Sequence, residues 1–135
     1  PESPAGAARR ISIFMSVFNC HVNRSPIQGR LSHYAYNPGR KMAAFHEKAS
    51  TENEQNRITV AGPRGSVTFK QIAGALARRI VFRPSLGVEL ARSQRIGMIK
   101  FGSRVDLFVP DECDVLVGQG DKVKAGQSAL ARWKS

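Results

Sequence analysis

The chain is built of short runs that alternate. Between Ile11 and Phe18, Ile11, Ile13, Met15 and Val17 take every second position, a period of two that suits an extended strand. Phe14 and Phe18 put apolar groups on the other face as well, so this strand is expected to be covered on both sides. Residues 31–36 alternate again, between the turn Ser25-Pro26-Ile27-Gln28-Gly29 and the stop Asn37-Pro38-Gly39. Ile58-Thr59-Val60 and Val67-Thr68-Phe69 flank Gly62-Pro63-Arg64-Gly65 and predict a hairpin. Residues 96–101 and 105–109 read as two strands joined at Gly102-Ser103, and 115–117 and 128–133 complete the set. Helical spacing is scarce. Met42, Phe45 and Ala49 suggest a short helix over 41–49, residues 50–57 read as a polar loop, and 71–82 as a strand with a helical turn near 75–78. The expected fold is mainly β, a small sandwich or barrel with one or two short helices.

A faint repeat points to two similar halves. Gly87-x-x-Leu90-x-x-Ser93-Gln94 returns as Gly120-x-x-Val123-x-x-Gly126-Gln127, each copy ahead of an apolar strand. The second copy resembles the closing half of a biotinyl/lipoyl-type domain. No lysine stands in the Met-Lys-Met hairpin that carrier domains modify, which excludes the carrier reading. With 135 residues, a single domain over 1–135 is expected. The stretch from Ile11 to Cys20 is free of charge and proline but falls short of the roughly 20 apolar residues that cross a bilayer. The chain has no signal-peptide pattern, and a start at Pro1 reads as a trimmed piece of a longer protein.

Charge is the extreme value: 21 Lys and Arg against 10 Asp and Glu, a formal net charge of +11. Such an excess favours anionic partners. Nucleic acid is one; the negative leaflet of a membrane is the other, where each basic residue near the surface contributes about 1 kcal/mol. No interleaved aromatic and basic motif marks a single-strand binder, and charge alone leaves the two level. Cys20 and Cys113 belong to no paired motif and are expected to be reduced, buried thiols, although a disulfide stays open. His21, His33 and His46 lack metal-binding spacing, so no metal is expected.

Chemistry concentrates at Gly102-Ser103. The plain reading is a tight turn between strands. The reactive reading is that a strained peptide lets the Ser103 hydroxyl attack the Gly102 carbonyl, giving an ester. β-Elimination would leave dehydroalanine, which hydrolyses to a pyruvoyl group. Glycine at 102 admits both the backbone geometry and the close approach.

The blocks FMSVFNCHVNRSPIQGRL (14–31), KASTENEQN (48–56), QIAGALARRIV (71–81) and RIGMIKFGSRVDLFVP (95–110) resemble the phosphatidylserine decarboxylases, in particular the short bacterial and archaeal subgroup. The resemblance implies self-cleavage at Gly102-Ser103 into a β chain (1–102) and an α chain (103–135) that begins with the pyruvoyl group. It implies that this group takes up the substrate amine as a Schiff base and drains electrons during loss of the carboxylate, turning phosphatidylserine into phosphatidylethanolamine. His21 matches the family's histidine and is expected to move protons in both reactions. His33 and His46 are expected to be ordinary side chains. Phe18 stands where some relatives carry a second histidine, so a two-histidine scheme does not transfer.

No match to the family's Asp-Gly segment precedes Ile11. Asp106, Asp111, Asp114 and Asp121 all follow the cleavage point and fit that segment poorly. The orienting aspartate is therefore expected in an N-terminal segment missing from this piece, and residues 1–135 alone are expected to process slowly or not at all. Expected partners are phosphatidylserine, an anionic membrane surface and that missing segment, without nucleic acid. The expected location is the cytoplasmic face of the cell membrane, held peripherally. Oligomeric state stays open, a homo-oligomer included. Two other readings remain: another pyruvoyl-dependent decarboxylase, for instance one acting on an archaeal-type serine lipid, and a non-catalytic basic β-domain that binds lipid.

Overall fold

The computed structural model describes residues 7–15, 20–40, 48–74, 79–82, 84–100, 103–110, 113–118 and 131–133. Its strands, in chain order, are β1 (Ala7–Met15), β2 (Cys20–Arg24), β3 (Gly29–Asn37), β4 (Gln55–Gly62), β5 (Gly65–Ala73), β6 (Arg79–Phe82), β7 (Glu89–Leu90), β8 (Arg95–Lys100), β9 (Ser103–Pro110), β10 (Cys113–Val115) and β11 (Ala131–Trp133). One helical turn, α1 (Ala49–Glu52), lies between β3 and β4. Among the described residues the strands form a six-stranded sheet β1-β9-β5-β4-β3-β7, a three-stranded sheet β2-β8-β6 and the pair β10-β11. Every strand pairing is antiparallel, and the fold is mainly β, as the period-two runs predict.

The predicted hairpin forms as β4-β5, with Val60 opposite Val67 and Gly62 opposite Gly65. Gly65 turns it at a φ of 148°, a conformation that L side chains rarely adopt. On one face of the large sheet, Tyr34, Ile58, Phe69, Leu107 and Ile11 stand opposite one another in turn across five strands. Ile58, Phe69 and Leu107 are buried with Leu31, Val60, Val67 and Val109, and Leu90, Ile96 and Cys113 join them from other elements. Burying each large aliphatic or aromatic side chain contributes roughly 1.5–3 kcal/mol, so this row anchors the domain. The small sheet meets the same face through Ile96, through Phe82 stacked on Tyr34 at 4.7 Å between ring centroids, and through Asn23.

The opposite face of the large sheet is buried but charged. Lys70 and Asp106 are paired across β5 and β9, and Ser12 lies opposite Asp106 on β1. Arg104 Nε donates to Asp106 Oδ1 at 2.7 Å, and Arg10 reaches Asp106 Oδ2 at 3.9 Å. The Lys70 ammonium lies 5.5 Å from the Phe108 ring centroid.

Three expectations change. Residues 50–57 are not an open loop: α1 occupies their start, β4 begins at Gln55, and Asn53, Gln55 and Asn56 are buried. Polarity misled there, because these amides are satisfied inside the protein rather than by water. Residues 20–24 form a strand that the sequence pattern did not signal. The two strands that meet at Gly102-Ser103 are not neighbours: β8 lies between β2 and β6, and β9 between β1 and β5. The expected helix over 41–49 falls largely on 41–47, and the helical turn on 75–78, both outside the described residues. Cys113 is buried and belongs to the core cluster. The second repeat copy, 120–127, also lies outside the described residues. In the first copy, Gly87 (φ 90°) and Ser93 (φ 67°) both take left-handed turn conformations.

Candidate active site

Toward one end of the large sheet the inner face changes from apolar to polar. Two residues beyond the Ile58-Phe69-Leu107 row, Tyr36, Asn56, Gln71, Val105 and Ile13 stand opposite one another in turn. Two residues further, Ala73 and Met15 flank Ser103, the first residue of β9. Ala73 is itself held firmly. Its N–H donates to the Glu54 carbonyl at 3.0 Å, and its own carbonyl accepts from Asn53 Nδ2 at 2.6 Å. Gln55 Nε2 donates to the Asn53 carbonyl at 2.9 Å, so the chain entering β4 is fixed against the end of β5.

β2 approaches the same end. Cys20 pairs with Lys100 and His21 with Ile99, on the strand that leads into residues 101–102 and then Ser103. Three residues span at most about 11 Å, so Lys100 and Ser103 cannot be far apart. The register therefore brings the backbones of His21 and Ser103 to one end of the molecule, though they are remote in sequence. Gly102 lies outside the described residues. Beyond Arg24, β2 is clamped: Ser25 N–H donates to the Gln94 carbonyl at 2.8 Å, Ser93 N–H to the Ser25 carbonyl at 2.9 Å, and Arg24 to the Ser93 carbonyl at 2.9 Å.

A chain of side-chain hydrogen bonds links the two sheets behind this end. Tyr34 Oη donates to Asn56 Oδ1 at 2.9 Å, Asn56 Nδ2 to Gln71 Oε1 at 3.1 Å, and Gln71 Nε2 to Asn23 Oδ1 at 2.8 Å. Asn23, Asn56 and Gln71 are all buried. Sequence reasoning passes over them, because a polar side chain reads as surface unless its partners are known. Their only signal is position: all three fall inside blocks that carry the family resemblance. Asp106 is wholly buried and committed to Arg104 and Arg10 on the opposite face. His33 is exposed on β3, and His46 lies outside the described residues. Among the described residues, no three His, Cys, Asp or Glu side chains gather as metal ligands would, and no helix is long and apolar enough to cross a membrane.

Fold and site together define the class: a β-sandwich-like domain that buries a polar end beside a Gly-Ser joint between two sheets. Comparison with known sequences supplies the family. Residues 4–131 match the family model described as phosphatidylserine decarboxylase, and the chain belongs to that family. A phosphatidylserine decarboxylase proenzyme of Solibacter usitatus is 49% identical over 129 residues, covering 96% of this chain and 63% of the relative. One from Amoebophilus asiaticus is 48% identical over 124 residues, covering 91% and 55%. The chain thus spans somewhat more than half the length of these relatives. No solved structure matches it.

Proposed function

We propose that this chain is the core of a self-processing, pyruvoyl-dependent phosphatidylserine decarboxylase. One observation carries the reading beyond family membership. The bond between 102 and 103 joins a strand held on both flanks in the small sheet to a strand held on both flanks in the large one. Cutting there removes no ladder hydrogen bond between β8 and β9, since they share none. Residue 103 would keep its neighbours Met15 and Ala73 after the cut. A break at an ordinary hairpin would instead loosen the paired ends.

In this reading the Ser103 hydroxyl adds to the Gly102 carbonyl, the amide C–N bond breaks, and an ester forms with a free amine on 103. Loss of the Cα proton of 103 expels the Gly102 carboxylate and leaves dehydroalanine. Its imine tautomer takes up water and releases ammonia, which leaves a pyruvoyl group at 103. The fit rests on a position 103 that begins an interior strand and stays fixed without the preceding residue. Formed there from Ser103, the group would supply the electron sink for decarboxylation of a serine headgroup. His21 accepts the Ser103 hydroxyl proton during the cut and returns a proton to the product carbon during turnover. The buried amides behind the site keep β2 and β5 at a fixed separation.

The chain would work at the cytoplasmic face of an anionic membrane, held peripherally. In support, the net charge is +11, and the turn at 84–88 exposes Leu86 (67%) and Val88 beside the exposed Arg30 on β3. The direct test is Ser103→Ala in the full-length protein. The expected outcome is an uncut chain that releases no carbon dioxide from phosphatidylserine vesicles. Carbon dioxide release by the purified variant would end the pyruvoyl reading. Release from archaeal-type serine lipids only, with wild-type protein, would redirect the substrate.

A further inference from the structure

The amide chain behind the site has a direction. Each member accepts from the one before and donates to the one after, from Tyr34 through Asn56 and Gln71 to Asn23. At the far end Asn23 has its oxygen engaged by Gln71, while its Nδ2 group has no partner among the described residues. The residue is only 8% exposed. A buried amide N–H pair without an acceptor is costly, and in native proteins it calls for a specific explanation.

Its place suggests one. Asn23 lies two residues from His21 on β2 and is bonded to Gln71, which lies two residues from Ala73, the neighbour of Ser103. From the Asn23–Gln71 bond, the 100–103 end is reached by going back along β2 through His21 to Cys20, opposite Lys100, and forward along β5 to Ala73, opposite Ser103. We infer that Asn23 is a hydrogen-bond donor to an oxygen of the group reacting at position 103, with Gln71 and Asn56 as positioning residues that fix the polarity of its amide. The inference rests on the proposed pyruvoyl reading and adds a donor to it. Two oxygens fit: the Gly102 carbonyl oxygen as it becomes an alkoxide during the cut, and a carboxylate oxygen of the serine headgroup during turnover. Both are acceptors that gain from a pre-aimed, water-shielded N–H.

The test is Asn23→Asp in the full-length protein. Aspartate has nearly the same shape and still accepts from Gln71, so the link between sheets survives. Only the outward donor is replaced, by a carboxylate oxygen that cannot donate. The expected result is a loss of about 10²-fold, the usual scale for one such donor. Loss in the rate of chain cutting assigns the Gly102 oxygen; loss in turnover of protein already cut assigns the headgroup carboxylate. A pH series adds a readout that a purely structural role would not move. Burial raises the pKa of the new carboxyl, and its protonated form regains an O–H donor. The ratio of variant to wild-type rate should therefore climb as pH falls through that pKa.

Gln71→Glu gives a second route. Its carboxylate accepts from both Asn56 and Asn23, which turns the Asn23 oxygen toward the site, and it should reproduce the defect even if Asn23→Asp fails to fold. Wild-type rates in both folded variants would overturn the inference. So would a defect that tracks lowered thermal stability and shows no pH recovery. A wild-type protein that neither cuts itself nor decarboxylates would overturn the pyruvoyl reading as well, which separates the two failures.

Discussion

Asp106 is fully enclosed between β1 and β5, with Arg104 at 2.7 Å and Arg10 at 3.9 Å. Removing the carboxylate would leave a buried guanidinium without its counter-charge. Asp106→Ala should therefore cost about 3–5 kcal/mol, read as a lower midpoint in urea unfolding. A change under about 1 kcal/mol would mean that the pair is not buried as described. On the proposed reading, a carboxylate engaged in this way is a poor candidate for orienting His21. Tyr36 is a milder case. Its hydroxyl donates to the Glu54 carboxylate, and that bond, helped by partial desolvation and the negative charge of Glu54, raises the phenol pKa above its ordinary value. A raised folded-state pKa gives stability that is complete below the unfolded value and lost as pH climbs through the folded one. In a Tyr34→Phe background, phenolate absorbance should appear at higher pH in the protein than in a peptide. Glu54→Gln should bring the midpoint back down; an unchanged midpoint would contradict the assigned bond.

Elements with a clean period are legible in the amino-acid pattern alone. The β4-β5 hairpin shows this: β-branched runs around Gly62-Pro63-Arg64-Gly65 allow hardly any other arrangement. β2 is not legible that way, because Cys-His-Val-Asn-Arg has no apolar alternation and is held instead by β8 and by the Asn23–Gln71 bond. The buried amides are hidden for the same reason, since polar satisfaction depends on partners far along the chain. As candidates, Ser103 is suggested by the Gly-Ser step and strengthened by the resemblance, whereas His21 rests mainly on the resemblance; a Gly-Ser step carries no local sign that it joins two sheets. The turn at 91–94 carries a prediction at this scale. Ser93 holds a φ of 67°, where an L side chain costs about 1–2 kcal/mol and glycine loses only part of that in chain entropy. Ser93→Gly should be neutral or stabilise by up to about 1 kcal/mol in thermal unfolding, and clear destabilisation would show that its side chain is needed. Gly29 is the reverse. A Cβ there would sit 2.4 Å from the Ala61 carbonyl oxygen, so Gly29→Ala should destabilise by about 1–3 kcal/mol.

For the whole molecule, the two proposed fragments interlock. β9 would belong to the C-terminal piece but lies between β1 and β5 of the N-terminal one. The cut protein should therefore migrate as one particle under native conditions and come apart only on denaturation. The net charge of +11 should make binding to anionic vesicles fall steeply as salt rises through about 0.1 M, where screening acts over about 10 Å. Salt-independent binding would point to apolar insertion instead. The central claim is that the chain cuts itself at Gly102-Ser103 and converts residue 103. Mass spectrometry of the purified full-length protein under denaturing conditions tests it most directly. The account predicts one fragment ending at Gly102 and another beginning at position 103 with a ketone in place of the amine. A single uncut chain with Ser103 intact would contradict it.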